Sequence, residues 1–469
     1  MWLAACGAAG IALALLYPDS YQQDGGYHFL FARVGWEHPE IFIGVWSRPL
    51  FSLIYSLPAA FGYPAAKLFT VLICLVTAYQ TSRLAEELRL DRHALVIPLL
   101  FLQPTYALIA ADTMTEPLFA LLFIVALRLH TMGRVAAGAI VASLMVLARP
   151  EGFFLGVLWA VWMLARGGRR AFWTNLSRVP LLAVGSALWW LAALLLTGDP
   201  LYIKHNWPPD WQLAAATYGM GNLWTYAGKL PEIVGPLLAV AFVAGLATLL
   251  IQRRLATVTS AFLTIFVLHS VMRAFGLFGS AGYARYFVCV SPAIALISLA
   301  GWNTIAAWCV RVPRALRLTA MTATLSVSLI VTAFYVDAQK YVRDARAIAE
   351  MYSWFRDHDR PVERLIWSQA YMAILFDSDV WQKPAFSGDK AANLELLRQS
   401  PAGTLIFWDA DTGPSWFKLT ADDFEGVGYE RLRSQTYSLS GLISFKRRWW
   451  FYDWGPRPQE MHLFYKIKK

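Results

Sequence analysis

Apolar positions in this chain come in runs too long for strands and too uniformly apolar for one-sided surface helices. Eleven runs follow one another, at 1–17, 62–82, 94–111, 117–130, 135–149, 152–166, 179–197, 232–251, 256–273, 286–308 and 318–336. A hydrocarbon core of ~30 Å takes roughly 20 apolar residues of helix, with about 17–25 tolerated. The pattern therefore predicts a polytopic α-helical membrane protein of about eleven spans. The fourth, fifth and sixth runs are short, and the stretch from Pro49 to Phe61 either extends the second span or lies in the interface. From Glu363 the pattern changes to short apolar runs separated by turn signals, at 365–367, 372–376, 403–409, 441–445 and 462–467. Lys390 to Gln399 reads as an amphipathic helix between two strands. The division that follows is a transmembrane domain over 1–336 and a small α/β domain over 337–469.

Composition agrees. The chain is 57% hydrophobic and 15% charged, against about 45–50% and about 25% in soluble domains, which excludes a soluble fold, a disordered chain and a coiled coil. Cys6, Cys74, Cys289 and Cys309 each sit in an apolar run, so they read as buried hydrophobes and not as a disulfide framework or a metal cluster.

Charge adds orientation. Residues 1–336 hold 22 basic against 13 acidic residues, so most of the net charge of +10 belongs to the membrane part and does not point to nucleic acid. Fourteen of the 22, from Arg83 to Arg317, lie at the ends of even-numbered runs or in the loops after them. By the positive-inside rule those loops are cytoplasmic. The N-terminus is then inside, and an odd number of spans places 337–469 outside. The first run lacks a basic n-region and a clear small-residue cleavage site, so it reads as an anchor and not as a signal peptide. Ten of the 13 acidic residues fall on the outer side, and candidate chemistry belongs there.

The first outer loop, PDSYQQDGGYHFLFAR over 18–33, crowds Asp19, Asp24, Tyr27, His28 and Arg33 into one short stretch. It reads either as a solvated interfacial loop with Asp24 as an N-cap or as a site. Asp112 and Glu116 stand four apart before the fourth span, a spacing that suits a divalent metal ion, or helix capping by Thr113 or Thr115 with Glu116 in the first turn. In ARPEGFF, Arg149 and Glu151 flank Pro150. An outward Arg149 suits an anionic headgroup, because a guanidinium binds phosphate bidentately and keeps its charge; a surface pair with Glu151 of little function is the alternative. Later outer loops offer Asp199, Lys204, His205, Trp207 and Trp211, then Arg285 and Tyr286. Lys204 and His205 suit interfacial anchoring, and Arg285 could equally snorkel. No GxGxxG, GxxxxGK[ST] or HExxH occurs. An outward-facing enzyme has no access to cytoplasmic nucleotide sugars, so an activated group would arrive on a lipid.

Taken in order, these motifs resemble the GT-C superfamily of polytopic glycosyltransferases, especially bacterial relatives of the lipid-linked mannosyl- and aminoarabinosyltransferases. The match rests on a DxxYxxxxAR pattern at Asp24, Tyr27, Ala32 and Arg33, on the turn Thr115 to Phe119, and on the hairpin Arg149 to Gly152. A G-x-PLY segment at Gly198 to Tyr202 and the pair Arg285 and Tyr286 complete it. The resemblance implies displacement of a sugar, mannose being the leading expectation, from a polyprenyl-phosphate carrier with inversion, onto a lipid or glycan acceptor at the outer face of the bacterial cytoplasmic membrane. It makes Asp24 the general base, Arg149 and Arg285 the holders of the leaving phosphate, and Glu116, with Asp112, a metal ligand or a shaper of the acceptor site. Many relatives have two adjacent acids in the first loop, where this chain has Gln23 and Asp24 with Asp19 five residues upstream. Asp19 therefore stands as the other candidate base. A lipid-linked sugar flippase or a non-catalytic scaffold are the rival classes; the first should carry polar residues or broken helices at mid-membrane, and the second needs no acidic cluster.

Overall fold

A computed structural model describes residues 1–17, 23–207, 218–278, 280–341, 345–358, 360–379, 381, 386–410, 413–438 and 458–467. The chain clusters into two compact units, one of residues 1–16 with 35–336 and the other of residues 17–34 with 337–469. The second boundary falls where the apolar pattern ends. Residues 17–34, which a single cut at 336/337 assigns to the membrane part, cluster instead with the tail.

All eleven apolar runs of the first unit are helical. Among the described residues five helices are long and apolar enough to cross a membrane: Tyr63–Glu87, Ala171–Thr197, Ala256–Ala274, Ala284–Arg311 and Arg314–Gln339. Trp2–Leu16, Pro49–Ala60, Val135–Ala148, Glu151–Ala165 and Leu238–Ile251 are shorter apolar helices. Pro49–Ala60 is a helix of its own, because the chain turns at Gly62, whose φ of 96° suits glycine, and Pro64 then opens the next helix.

The third run is broken. Pro104 forces Gln103 into an extended backbone, which separates Val96–Phe101 from Pro104–Ile109. Gln103 is buried, and its amide donates to the Ser291 carbonyl, 3.1 Å away. Interrupted backbone at membrane depth is tolerated where protein covers it. Pro150 acts likewise on Arg149 (φ −159°, ψ 148°), stopping the helix Met145–Ala148 and starting Glu151–Ala165. Helices Leu238–Ile251 and Ser291–Trp308 meet backbone to backbone. A Cβ on Gly245 would lie 2.0 Å from the Ile297 oxygen, and one on Gly301 would lie 1.8 Å from the Ala241 oxygen.

In the second unit β1 (Arg364–Trp367), β2 (Thr404–Asp409), β3 (Tyr429–Ser438) and β4 (Pro458–Lys466) form one sheet in the order β1-β2-β4-β3. β1 and β2 are parallel and the other pairs antiparallel, with a bulge between Arg431 and Arg433. The crossover from β1 to β2 carries the helix Lys390–Gln399, capped by the Asp389 side chain. The buried Lys466 ammonium satisfies the far end of that helix, donating to the carbonyls of Leu397, Arg398 and Ser400 at 2.7–2.9 Å. Trp408, Phe424 and Phe464 centre the core of this unit. The apolar run 372–376 lies mostly in a short helix, Ala370–Leu375, and 441–445 lies outside the described residues.

Candidate functional site

In the first unit three chain segments deliver four charged side chains to one buried place. Pro150 holds Arg149 at a helix break, Glu116 opens the helix Glu116–Thr131, Glu151 opens Glu151–Ala165, and Arg285 is the second residue of the 3-10 stretch Ala284–Val290. All four are buried, Glu116 completely. The Arg149 guanidinium grips Glu151 bidentately, Nη2 to Oε1 at 2.8 Å and Nε to Oε2 at 3.2 Å. Its third nitrogen, Nη1, lies 2.8 Å from Glu116 Oε1 and donates to the Thr115 hydroxyl at 3.1 Å. The alternative of an exposed Arg149–Glu151 pair is thereby replaced by an interior network.

Arg285 flanks the same carboxylate, Nε to Glu116 Oε1 at 3.7 Å, and its Nη1 approaches the Met114 sulfur at 3.6 Å. Aromatic faces line the cations. Arg285 lies 5.0 Å from the Tyr283 ring centroid, and both arginines lie under 6 Å from that of Tyr286. Two carboxylates and two guanidiniums balance, as buried charges must. Thr115 precedes Glu116 without capping its helix; the hydroxyl is engaged by Arg149 instead. A divalent cation does not fit at Glu116, because the carboxylate already faces two fixed positive charges.

Asp112 is fully buried on the same loop. It accepts from the Thr113 N–H at 2.7 Å and from the Tyr63 hydroxyl at 3.4 Å. Above the Tyr63 ring, at 5.4 Å, lies the ammonium of Lys67, buried within a membrane helix. Lys67 and His269 are two ionisable residues that motif matching passes over. The signal for both is an ionisable group inside an apolar run. His269 stacks on Tyr286 (centroids 4.7 Å, 17°) with Nε2 3.6 Å from Glu151 Oε1.

In the second unit Asp24 lies in the first turn of the helix Gln23–Val34, one position inside it and so not as its cap. The carboxylate is half-buried at the positive end of the helix dipole. Tyr27, one turn on, packs on Trp367 with centroids 5.3 Å apart. Burial, and then the charge of Asp24, push the Tyr27 hydroxyl above its usual range, so it stays protonated. His28 is buried. Arg33 is bound within the unit, pairing with Asp377 and donating to the Ser378 carbonyl at 2.7 Å. Asp19, Trp211 and the tail segment FKRRWWFYDW at 445–454, in which basic and aromatic residues interleave, lie outside the described residues.

Lys204 and His205 sit exposed on the short helix Tyr202–His205. His205 binds Asp199 at 2.8 Å, and that hydrogen bond, with the Leu201 N–H, holds the exposed Asp199 carboxyl below its usual range. No contact among the described residues ties Lys204 or His205 to the arginine cluster.

Two crystal structures of ArnT from Cupriavidus metallidurans, one in the apo state and one bound to undecaprenyl phosphate, are similar to this chain at a TM-score of 0.60 and 12% identity. The first match covers 99% of this chain and 97% of that one, the second 98% and 97%. Agreement over the whole length shows that this chain shares the overall fold of those two structures. No protein-family model matches the sequence, and no curated protein matches it either.

Proposed function

We propose that this chain is an inverting glycosyltransferase of the bacterial cytoplasmic membrane that takes a sugar from a polyprenyl-phosphate carrier. The observation that carries the reading is the buried pairing of Arg149 and Arg285 around Glu116. Ionisable groups inside a membrane domain are costly and mark sites of function, and two guanidiniums with aromatic faces suit a lipid-linked phosphate. The whole-length fold similarity to a structure holding undecaprenyl phosphate supports the same ligand class.

In this reading an acceptor hydroxyl attacks the anomeric carbon and the bond from that carbon to the phosphate oxygen breaks. Polyprenyl phosphate leaves with its charge answered by Arg149 and Arg285. Asp24 takes the hydroxyl proton, a role worth about 10²–10⁴-fold in rate. Glu151 and Glu116 orient Arg149 and keep the cluster neutral until the donor arrives. No metal ion is needed at Glu116, since the arginines already supply the positive charge. The outer face is the expected location, from the arginine-rich loops on the other side.

The deciding experiment incubates purified protein with a panel of polyprenyl-phosphate sugars, mannose first, and an acceptor extract. Release of polyprenyl phosphate together with a glycosylated product supports transfer. Movement of intact donor across vesicles without bond cleavage would instead make the chain a flippase.

A further inference from the structure

His269 is buried in the helix Ala256–Ala274, and among the described residues neither of its ring nitrogens finds a hydrogen-bond partner. A buried polar group left in that state costs free energy, so its place in the cluster calls for a functional explanation. The ring is held by its stack on Tyr286, and Nε2 points at Glu151 Oε1 from 3.6 Å, less than 1 Å beyond an ordinary hydrogen bond. The charged groups that act on it are Glu151 and Arg149, with Tyr226 as a further titratable neighbour at 6.0 Å between ring centroids. Glu151 meanwhile is the bidentate partner of Arg149.

A phosphate that engages Arg149 must therefore draw the fork away from Glu151. It also adds negative charge to a cluster that was neutral. We propose that His269 answers both changes. As the phosphate takes Arg149, the imidazole takes up one proton from solution and donates it in a hydrogen bond from Nε2 to Glu151. His269 is thus a positioning residue that lets Glu151 release Arg149, and phosphate binding is coupled to proton uptake. The inference rests on the reading of the cluster as a phosphate site.

Proton uptake requires binding to strengthen as pH falls, by up to about tenfold in Kd per pH unit where uptake is complete. Ionisation of the phosphate itself, near pH ~6 for a monoester, acts in the opposite direction and is common to all variants. The test is calorimetric titration of the purified full chain with a polyprenyl monophosphate, in two buffers of different ionisation enthalpy and across pH. The wild-type chain should take up about one proton more than His269→Gln, and Glu151→Gln, which has no carboxylate for the imidazolium to answer, should lose the same uptake. Equal uptake and equal pH slope in wild type and His269→Gln would overturn the proposal, because the phosphate's own ionisation cancels in that difference. Binding that is absent, or identical in wild type and Arg149→Lys, would instead remove the phosphate site on which the inference stands.

Discussion

Replacing Arg149 by lysine keeps the charge and removes the fork, so it isolates geometry from electrostatics. In the structure one guanidinium serves two carboxylates on different segments, Glu151 through Nε and Nη2 and Glu116 through Nη1, and donates to Thr115 as well. An ammonium is a compact donor on a flexible stem, and it can sit against one of these carboxylates but cannot bridge both. At least one charge-assisted hydrogen bond is lost, at about 1.5–3 kcal/mol. The unfolding midpoint of the detergent-solubilised protein should fall accordingly. Arg149→Ala should cost more, about 3–5 kcal/mol, because it leaves a buried carboxylate without an answering charge.

The same arithmetic applies to the ligand. A phosphate held by a fork loses one charge-assisted bond when the fork becomes a point, so polyprenyl monophosphate should bind about 10–150-fold more weakly to Arg149→Lys at about 1.4 kcal/mol per tenfold. Binding is measured by calorimetry on equal concentrations of folded protein, with size-exclusion profiles as the control for folding. An Arg149→Lys protein that binds within twofold of wild type and unfolds at the same midpoint would refute the reasoning, since neither the carboxylates nor the phosphate would then be using the fork.

Asp24→Asn keeps shape but cannot accept a proton, so transfer should fall by about 10²-fold or more with donor binding kept, while Asp19→Asn should cost much less; the reverse order would move the base to Asp19. A reporter fused after Lys469 should be active only outside the cytoplasm, and activity inside would overturn the orientation of the acidic loops. Gly301→Ala places a methyl 1.8 Å from the Ala241 carbonyl oxygen and should destabilise by about 1–3 kcal/mol or more, whereas Gly156→Ala, with nothing among the described residues within 4 Å of its added carbon, should be neutral or mildly stabilising. Burial holds the ring of His462 below the ordinary histidine value, so the folded second unit prefers it neutral. Stability of that unit should be full above pH ~6.5 and decline as pH falls below it, where the unfolded chain takes the proton; His462→Gln should flatten that slope in unfolding curves.

The helical membrane part was legible because a bilayer demands long apolar runs, and the helices followed those runs from Trp2–Leu16 to Arg314–Gln339. What the runs concealed were their interruptions. Pro104 divides the third run, because the residue before a proline is driven out of the helical region, a break that uniform hydrophobicity hides. In the tail, 365–367 and 403–409 carry the parallel strands β1 and β2 with the helix Lys390–Gln399 between them, as their spacing suggests. β3 was missed. Tyr429 to Ser438 reads YERLRSQTYS, a polar edge strand with little apolar alternation, and it is held by backbone pairing to β4.

The site divides along similar lines. Arg149, Glu116, Glu151 and Arg285 could be found because each sits at the end of an apolar run, where a charge stands out. Their mutual contacts could not, since pairs such as Glu116 and Arg285 are far apart in sequence and only the packing of helices brings them together. Lys67 and His269 lie inside their runs, and a window average absorbs a single ionisable residue.

A buried quartet of two carboxylates and two guanidiniums is hard to account for by stability. Desolvating such ions costs several kcal/mol each, and well-packed apolar residues of similar volume are often as stabilising or more so. The local geometry argues the same way. Arg149 occupies an extended residue between two helices, where Pro150 fixes the backbone, and the Thr115 hydroxyl serves the arginine instead of capping its own helix. Neither choice favours the helices concerned. What the arrangement does provide is a pair of cations with their charges balanced internally, aromatic faces beside them, and a carboxylate on each side of Arg149 that can be displaced. An anion arriving there would exchange one ionic partner for another and need not meet an unanswered buried charge, which is the electrostatic condition that the proposed phosphate site requires.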